Sequence, residues 1–175
     1  FRYGLVVRGS EASVLVPPTS DYAYFNSRIE EMKIGLFGNG SAIGDGVGTA
    51  VCHLASSKAP KKCIILLTDG ENNAGDIHPE TAANLAATND ISLYVVGIGS
   101  KGTVPIEYVD PLDGKVYSGY LNSNFDSSSL NDIALIPILN CLLIVFSSFQ
   151  FNLLFDIFKK SFSLISLHPP IFLTI

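Results

Sequence analysis

Two short runs rich in β-branched residues, Tyr3 to Val7 and Ala12 to Val16, flank Arg8-Gly9-Ser10-Glu11, a pattern that predicts two antiparallel strands joined by a tight hairpin. After Pro17 and Pro18, Ser20 or Asp21 stands ready to cap a helix whose apolar positions Tyr22, Phe25, Ile29 and Met32 recur at helical spacing, so the helix is expected to lie on one sheet face. A second helix is expected from Ala42 to about Ser56, with Ile43, Val47, Val51 and Leu54 on one stripe and Ser41 at the cap position. Gly44, Gly46 and Gly48 fall in its first turns, where each costs about 1 kcal/mol relative to Ala, and so predict a close backbone approach. Cys63 to Thr68 is a continuous apolar run between Lys61-Lys62 and Asp69-Gly70, too short for a helix, and reads as a strand buried on both faces. Pro79 is suited to the first position of a helix reaching about Thr88, and Ser92 to Gly97 is another buried strand, which together make a βαβ crossover. Asp113-Gly114 between Ile106 to Val109 and Lys115 to Tyr120 predicts a small hairpin, after which Ser127 to Ala134 begins a helix.

Strands alternating with helices behind one antiparallel hairpin define the fold class as α/β, with a mostly parallel sheet and helices on both faces. The apolar share, 47% of 175 residues, is too high for disorder and enough for one domain with its own core. A net charge of −5 without a basic run removes the electrostatic footprint of a nucleic-acid binder. Cys52, Cys63 and Cys141 have no C-x-x-C spacing, and His53, His78 and His168 are far apart, so neither a disulfide framework nor a zinc site is indicated.

Composition breaks after Ala134. Beyond it there is no Gly, Ala, Glu, Arg or Tyr, and only Asp156, Lys159 and Lys160 are charged. The division expected from this is a domain over residues 1–134 and an apolar tail over 135–175. Ile133 to Phe155 carries no charge and as a helix is long enough to cross a hydrocarbon core of about 30 Å, with Lys159 and Lys160 as an anchor. Two readings stand: a membrane span through residues 133–155, or a frameshifted end. The N-terminus has no initiator Met and no secretory leader pattern, and the chain is expected to be a fragment.

In open α/β sheets ligands bind beyond the carboxyl ends of the strands. Asp69 ends the most buried strand, and Ser41 lies in the glycine-rich Gly38-Asn39-Gly40-Ser41-Ala42-Ile43-Gly44 loop, so both are expected at the same sheet edge. A carboxylate and a hydroxyl there are hard oxygen ligands suited to Mg²⁺ or Mn²⁺. The structural alternatives are a helix cap at Ser41, an ordinary turn at Asp69-Gly70 and a dipole-complementing carboxylate at Asp45. Glu71, Asn72 and Asn73 read as a solvated loop, and Cys63 as a core residue rather than a nucleophile. The Gly38 loop fails G-x-G-x-x-G at Ile43, and neither a P-loop nor a G-x-S-x-G motif occurs.

Gly4-Leu5-Val6-Val7, Gly40-Ser41-Ala42-Ile43-Gly44-Asp45, Ile64-Ile65-Leu66-Leu67-Thr68-Asp69-Gly70-Glu71-Asn72-Asn73 and Tyr94-Val95-Val96-Gly97-Ile98-Gly99 follow one another in an order that resembles the von Willebrand factor type A (VWA) domain of Bat-type, aerotolerance-associated bacterial membrane proteins. The resemblance covers residues 1–134 and implies a Rossmann-like VWA sheet with a metal-ion-dependent adhesion site, where three loops hold Mg²⁺ and a partner's carboxylate completes the shell. It implies binding rather than catalysis, related membrane-complex subunits as partners, and the bacterial inner (cytoplasmic) membrane as location. In the family the first metal loop is D-x-S-x-S after a central opening strand, the second supplies a Thr, here Ser41, and the third supplies the Asp of T-D-G, here Asp69. D-x-S-x-S does not occur in this sequence. The sheet is therefore expected to be incomplete, with a gap in mid-sheet where the opening strand belongs and a final Gly-Gly turn and strand replaced by apolar sequence.

The function expected is divalent-metal-dependent protein–protein interaction, with Ser41 and Asp69 as metal contacts and weak or lost activity in a fragment. The rivals are a doubly wound nucleotide- or phosphate-binding enzyme domain using the Gly38 to Gly48 loop, and a metal-independent scaffold or gene remnant.

Overall fold

The computed structural model describes residues 2–33, 35–99, 101–109, 114–124, 130, 132–133, 143–146 and 171–174. β1 (Tyr3–Arg8) and β2 (Ala12–Thr19) form the expected antiparallel hairpin, with Val6 opposite Val14 and Arg8 opposite Ala12. α1 (Tyr22–Glu30) begins at Asp21, whose carboxylate accepts from Tyr24 N at 2.9 Å. α2 (Ile43–Ala55), β3 (Lys62–Thr68), α3 (Pro79–Thr88) and β4 (Ile91–Ile98) follow where the apolar periodicity places them. β5 (Lys101–Val109) and β6 (Val116–Asn124) make a separate two-stranded sheet, longer than the hairpin expected around Gly114. Of the helix expected from Ser127, residues 130, 132 and 133 are described and helical, with Leu130 and Ile133 buried in the main core.

The main sheet has six strands in the order β2-β1-β8-β3-β4-β7, where β7 is Leu143–Phe146 and β8 is Ile171–Thr174. All pairings are parallel except the β1–β2 edge. The expected mid-sheet gap between β1 and β3 holds β8, with Leu173 facing Leu5 on one side and Ile65 on the other. β7 lies beside β4, pairing Leu143 with Val95 and Phe146 with Ile98. Two of the six strands thus come from beyond residue 134.

This corrects the reading of residues 133–155 as one membrane-spanning helix. Leu143–Phe146 is a strand in the sheet, and among the described residues no helix is long and apolar enough to cross a membrane. The physical reason is that strands buried in a parallel sheet read as continuous apolar runs, which periodicity does not separate from helix. Of that span, residues 134–142 and 147–155 lie outside the described residues, as does Cys141.

Side-chain alternation divides the interior between the two faces. Val6, Ile64, Leu66, Leu93 and Val95 pack with the α2 residues Ile43, Val47, Val51 and Leu54 and the α3 residues Ala82, Ala83 and Ala86. Cys63, Ile65 and Val96 point to the opposite face, where Tyr3, Leu67, Tyr94 and Ile98 cover them. α1 belongs to this second face through the Tyr3 ring, 4.6 Å from Tyr22 and 5.9 Å from Phe25. Helices therefore cover both faces, as the alternation of elements requires.

Cys63 is buried as the sequence predicts, and burial pushes its thiol up from 9.0 to about 12. The folded state disfavours the thiolate, so this contribution to stability is complete below the ordinary thiol value and is lost as pH rises towards 12. At pH 8 native Cys63 is expected to resist alkylation while exposed Cys52 reacts; peptide-resolved mass spectrometry with and without denaturant measures both.

Candidate functional site at the carboxyl edge of the sheet

Three segments meet where β1 and β3 end: Arg8-Gly9-Ser10, the loop Phe37 to Ala42, and Leu67 to Asn73. Ser10 N donates to Phe37 O at 2.8 Å, Ala42 N to Gly9 O at 2.9 Å, and Gly40 N to Ser10 Oγ at 3.1 Å. Ser41 N donates to Asn73 Oδ1 at 2.8 Å, and Asn73 N returns a bond to Ser41 O at 3.2 Å. The glycine-rich loop and the T-D-G loop therefore emerge at one sheet edge, as expected.

Ser41 does not cap α2. The N-cap is Ala42, which makes no side-chain capping bond, and the N–H of Ile43 is satisfied across the site by Asn72 Oδ1 at 2.9 Å. Because the T-D-G loop supplies that acceptor, the Ser41 hydroxyl is released for another contact. Asn72 and Asn73, read as a solvated loop, are exposed yet hold the Ser41 loop in place. Their signal was present in the chain, since Asn side chains bond locally to backbone, but the backbone donors they serve are about 30 residues away in sequence. Asn72→Ala leaves the Ile43 donor unpaired and is expected to destabilise the fold by about 1–3 kcal/mol, whereas Asn72→Asp keeps an acceptor and costs less; urea unfolding compares them.

Asp69 is exposed at the end of β3, and its Oδ1 accepts from Glu71 N at 3.2 Å, so the turn reading also holds. Asp45, considered only as a dipole complement, grips the lead into α3: its carboxylate accepts from Ile77 N at 2.8 Å and from Asp76 N at 3.1 Å. Gly44 makes the close approach that the glycine pattern predicts. A Cβ there would lie 1.8 Å from the Ile77 carbonyl oxygen.

Arg8 was read only as part of a hairpin loop; it is the last residue of β1 and reaches into the site. Its Nη1 donates to Ser41 Oγ and its Nη2 to Leu67 O at 3.1 Å. Burial pushes the guanidinium down from its ordinary value while the Asp69 charge pushes it back up, and an Arg so placed stays charged. Its presence at this edge could be suspected from a lone charge ending the apolar run Gly4 to Val7, but its partners are set only by the fold.

Mg²⁺ requires close to octahedral oxygen coordination, and the chain offers the Ser41 hydroxyl and the Asp69 carboxylate. The hydroxyl already accepts from a cationic donor, and among the described residues no group of three or more His, Cys, Asp or Glu could hold a metal. With the guanidinium on one of two ligands, the arrangement does not fit a dication.

A sequence model of the von Willebrand factor type A domain matches residues 1–159. An uncharacterized protein of Borreliella burgdorferi is 37% identical over 131 residues, which are 75% of this chain and 38% of that protein, so this chain spans well under half the relative's length. The crystal structure of the conserved hypothetical protein BatB from Bacteroides thetaiotaomicron has the same fold at a TM-score of 0.70 and 23% identity, covering 91% of this chain and 79% of that one. An aerotolerance-related membrane protein from Bacteroides fragilis gives 0.66 at 23% identity over the same shares. Proximal thread matrix protein 1 of the mussel byssus, in a structure with a zinc-occupied MIDAS motif, gives 0.64 at 22% identity, covering 93% of this chain and 34% of that one. Matched to that model over residues 1–159, most of its length, the chain belongs to the von Willebrand factor type A domain family.

Proposed function

We propose that this chain is an adhesion-type protein-interaction module of a Bat-like protein held at the bacterial inner membrane, and that it engages an acidic residue of a protein partner at the carboxyl edge of its sheet. The observation that carries the reading is the convergence of Arg8, Ser41 and Asp69 there, with Asn73 locking the two loops together. Family membership supports an interaction role, and the Bacteroides fragilis structure, described as an aerotolerance-related membrane protein, supports the location and membrane-complex partners. Ser41 and Asp69 are the two positions that match the family's ligands for Mg²⁺ or Mn²⁺. Coordination there would require Arg8 to leave the Ser41 hydroxyl.

The phosphate-binding enzyme reading has less behind it. A phosphate at the start of α2 would need free backbone donors, but Ser41 N and Ile43 N are already taken by Asn73 and Asn72. The proposal is tested by placing a photo-crosslinking residue at exposed position 39 of the full-length protein in its own cells, with exposed position 80 on α3 as control. A partner captured from position 39 and lost with Arg8→Gln supports it. Equal capture from both positions, or capture indifferent to Arg8→Gln, overturns it.

A further inference from the structure

We infer that Arg8 stands where a divalent cation is expected, so that this edge holds a partner's carboxylate by a charge built into the chain and needs no metal ion. The inference rests on the reading of this edge as the contact edge. Arg8 lies at the end of β1, between the Ser41 loop and the end of β3. It reaches Ser41 Oγ through Nη1 and Leu67 O through Nη2 at 3.1 Å, and lies within the field of Asp69.

A metal at such a site does two things: it ties the loops together and presents positive charge to an incoming carboxylate. The guanidinium does both here. It bridges a side chain from the second loop and a backbone carbonyl beneath the third. It carries a permanent charge whose planar fork suits a carboxylate. Nη1 and Nη2 each have a second N–H, so the donors are not exhausted by the two bonds the guanidinium makes. A dication would have to share the Ser41 hydroxyl with a cationic donor and would repel the guanidinium at contact range.

The test is Mn²⁺ binding followed by electron paramagnetic resonance on the whole chain, with melting measured in EDTA and in millimolar Mg²⁺. For the unsubstituted protein the free-Mn²⁺ signal is expected to be unchanged at millimolar protein, and the melting temperature to agree between the two buffers. Arg8→Ser removes the cation and adds an oxygen, and is expected to bind Mn²⁺ on the order of tenfold more tightly. Arg8→Lys keeps the charge, guards against loss of folding in the serine variant, and should remain insensitive to metal. Submillimolar Mn²⁺ binding by the unsubstituted protein, a melting temperature raised by Mg²⁺, or an unchanged Mn²⁺ affinity in a folded Arg8→Ser would each overturn the inference. Crosslinking from position 39 repeated in EDTA separates this from the interaction reading. Capture that disappears in EDTA removes the metal-independent site alone, whereas capture indifferent to Arg8→Gln removes the contact edge itself.

Discussion

Gly44→Val is expected to destabilise this protein more than any other single change in its helices. Even the Cβ of alanine would sit 1.8 Å from Ile77 O, 2.6 Å from Ile77 C and 3.0 Å from His78 C. All three are backbone atoms, so no rotamer change can relieve the clash. Relief means pushing the lead into α3 away from α2, and that lead is held by the two N–H bonds to Asp45. Moving it would also open the core where Ala82, Ala83 and Ala86 meet the α2 stripe. The helix propensity gained by replacing glycine, about 1 kcal/mol, acts the other way but is smaller than overpacking against fixed backbone, about 3 kcal/mol or more. For Gly44→Ala a net loss of about 2 kcal/mol follows from these two magnitudes, and for Gly44→Val, with two further methyl groups, most of a typical domain's stability of about 5–15 kcal/mol is at risk. Urea unfolding followed by circular dichroism measures both. Gly119→Ala is the control, because a Cβ there meets nothing within 4 Å, and its effect should stay within about 0.5 kcal/mol.

Leu173→Pro is expected to abolish cooperative unfolding. Position 173 lies in mid-strand, paired with Leu5 in β1 and Ile65 in β3, so β8 has neighbours on both sides. Proline removes a ladder donor and places its ring in the path of an adjacent strand, which sheets accept only at edges. The molecule supplies its own comparison. Pro17 and Pro18 lie in β2, which is an edge strand paired only with β1. The carbonyl that loses its ladder donor is left buried and unpaired, a cost of about 1–3 kcal/mol before any loss of packing. Here the proline also separates the β1–β2 hairpin from the β3–β4–β7 half of the sheet. A broad, non-cooperative melt with increased dye binding is the expected result; a sharp transition near that of the unsubstituted protein would show that β8 is not a central strand.

The elements that arise from local pattern were legible in the sequence: the β1–β2 hairpin, the Asp21-capped α1, the stripe of α2, the apolar runs of β3 and β4, and Pro79 opening α3. So was the meeting of Ser41 and Asp69 at one edge, because each follows an element whose direction in a parallel sheet is set. Legibility failed wherever the deciding contact is far away in sequence. β7 and β8 are four-residue apolar runs in a tail where such runs are common, and nothing local marks which of them pairs. Ser41 has every local feature of a cap, yet the cap function came from Asn72, 29 positions removed from Ile43.

By itself the sequence determined the α/β class, the family resemblance, the burial of Cys63 and the tight approach at Gly44. These depend on periodicity, on residue size and on residue identity, which are properties of neighbours along the chain. Only the tertiary structure decided that Ile171–Thr174 fills the middle of the sheet, that Asn72 and Asn73 bind the second loop to the third, and that Arg8 lies on the Ser41 hydroxyl. Strand order and side-chain partners across an edge are chosen by which non-local pairing satisfies buried donors and acceptors at least cost, and that choice is made in space, where residues 8, 41 and 67 are adjacent.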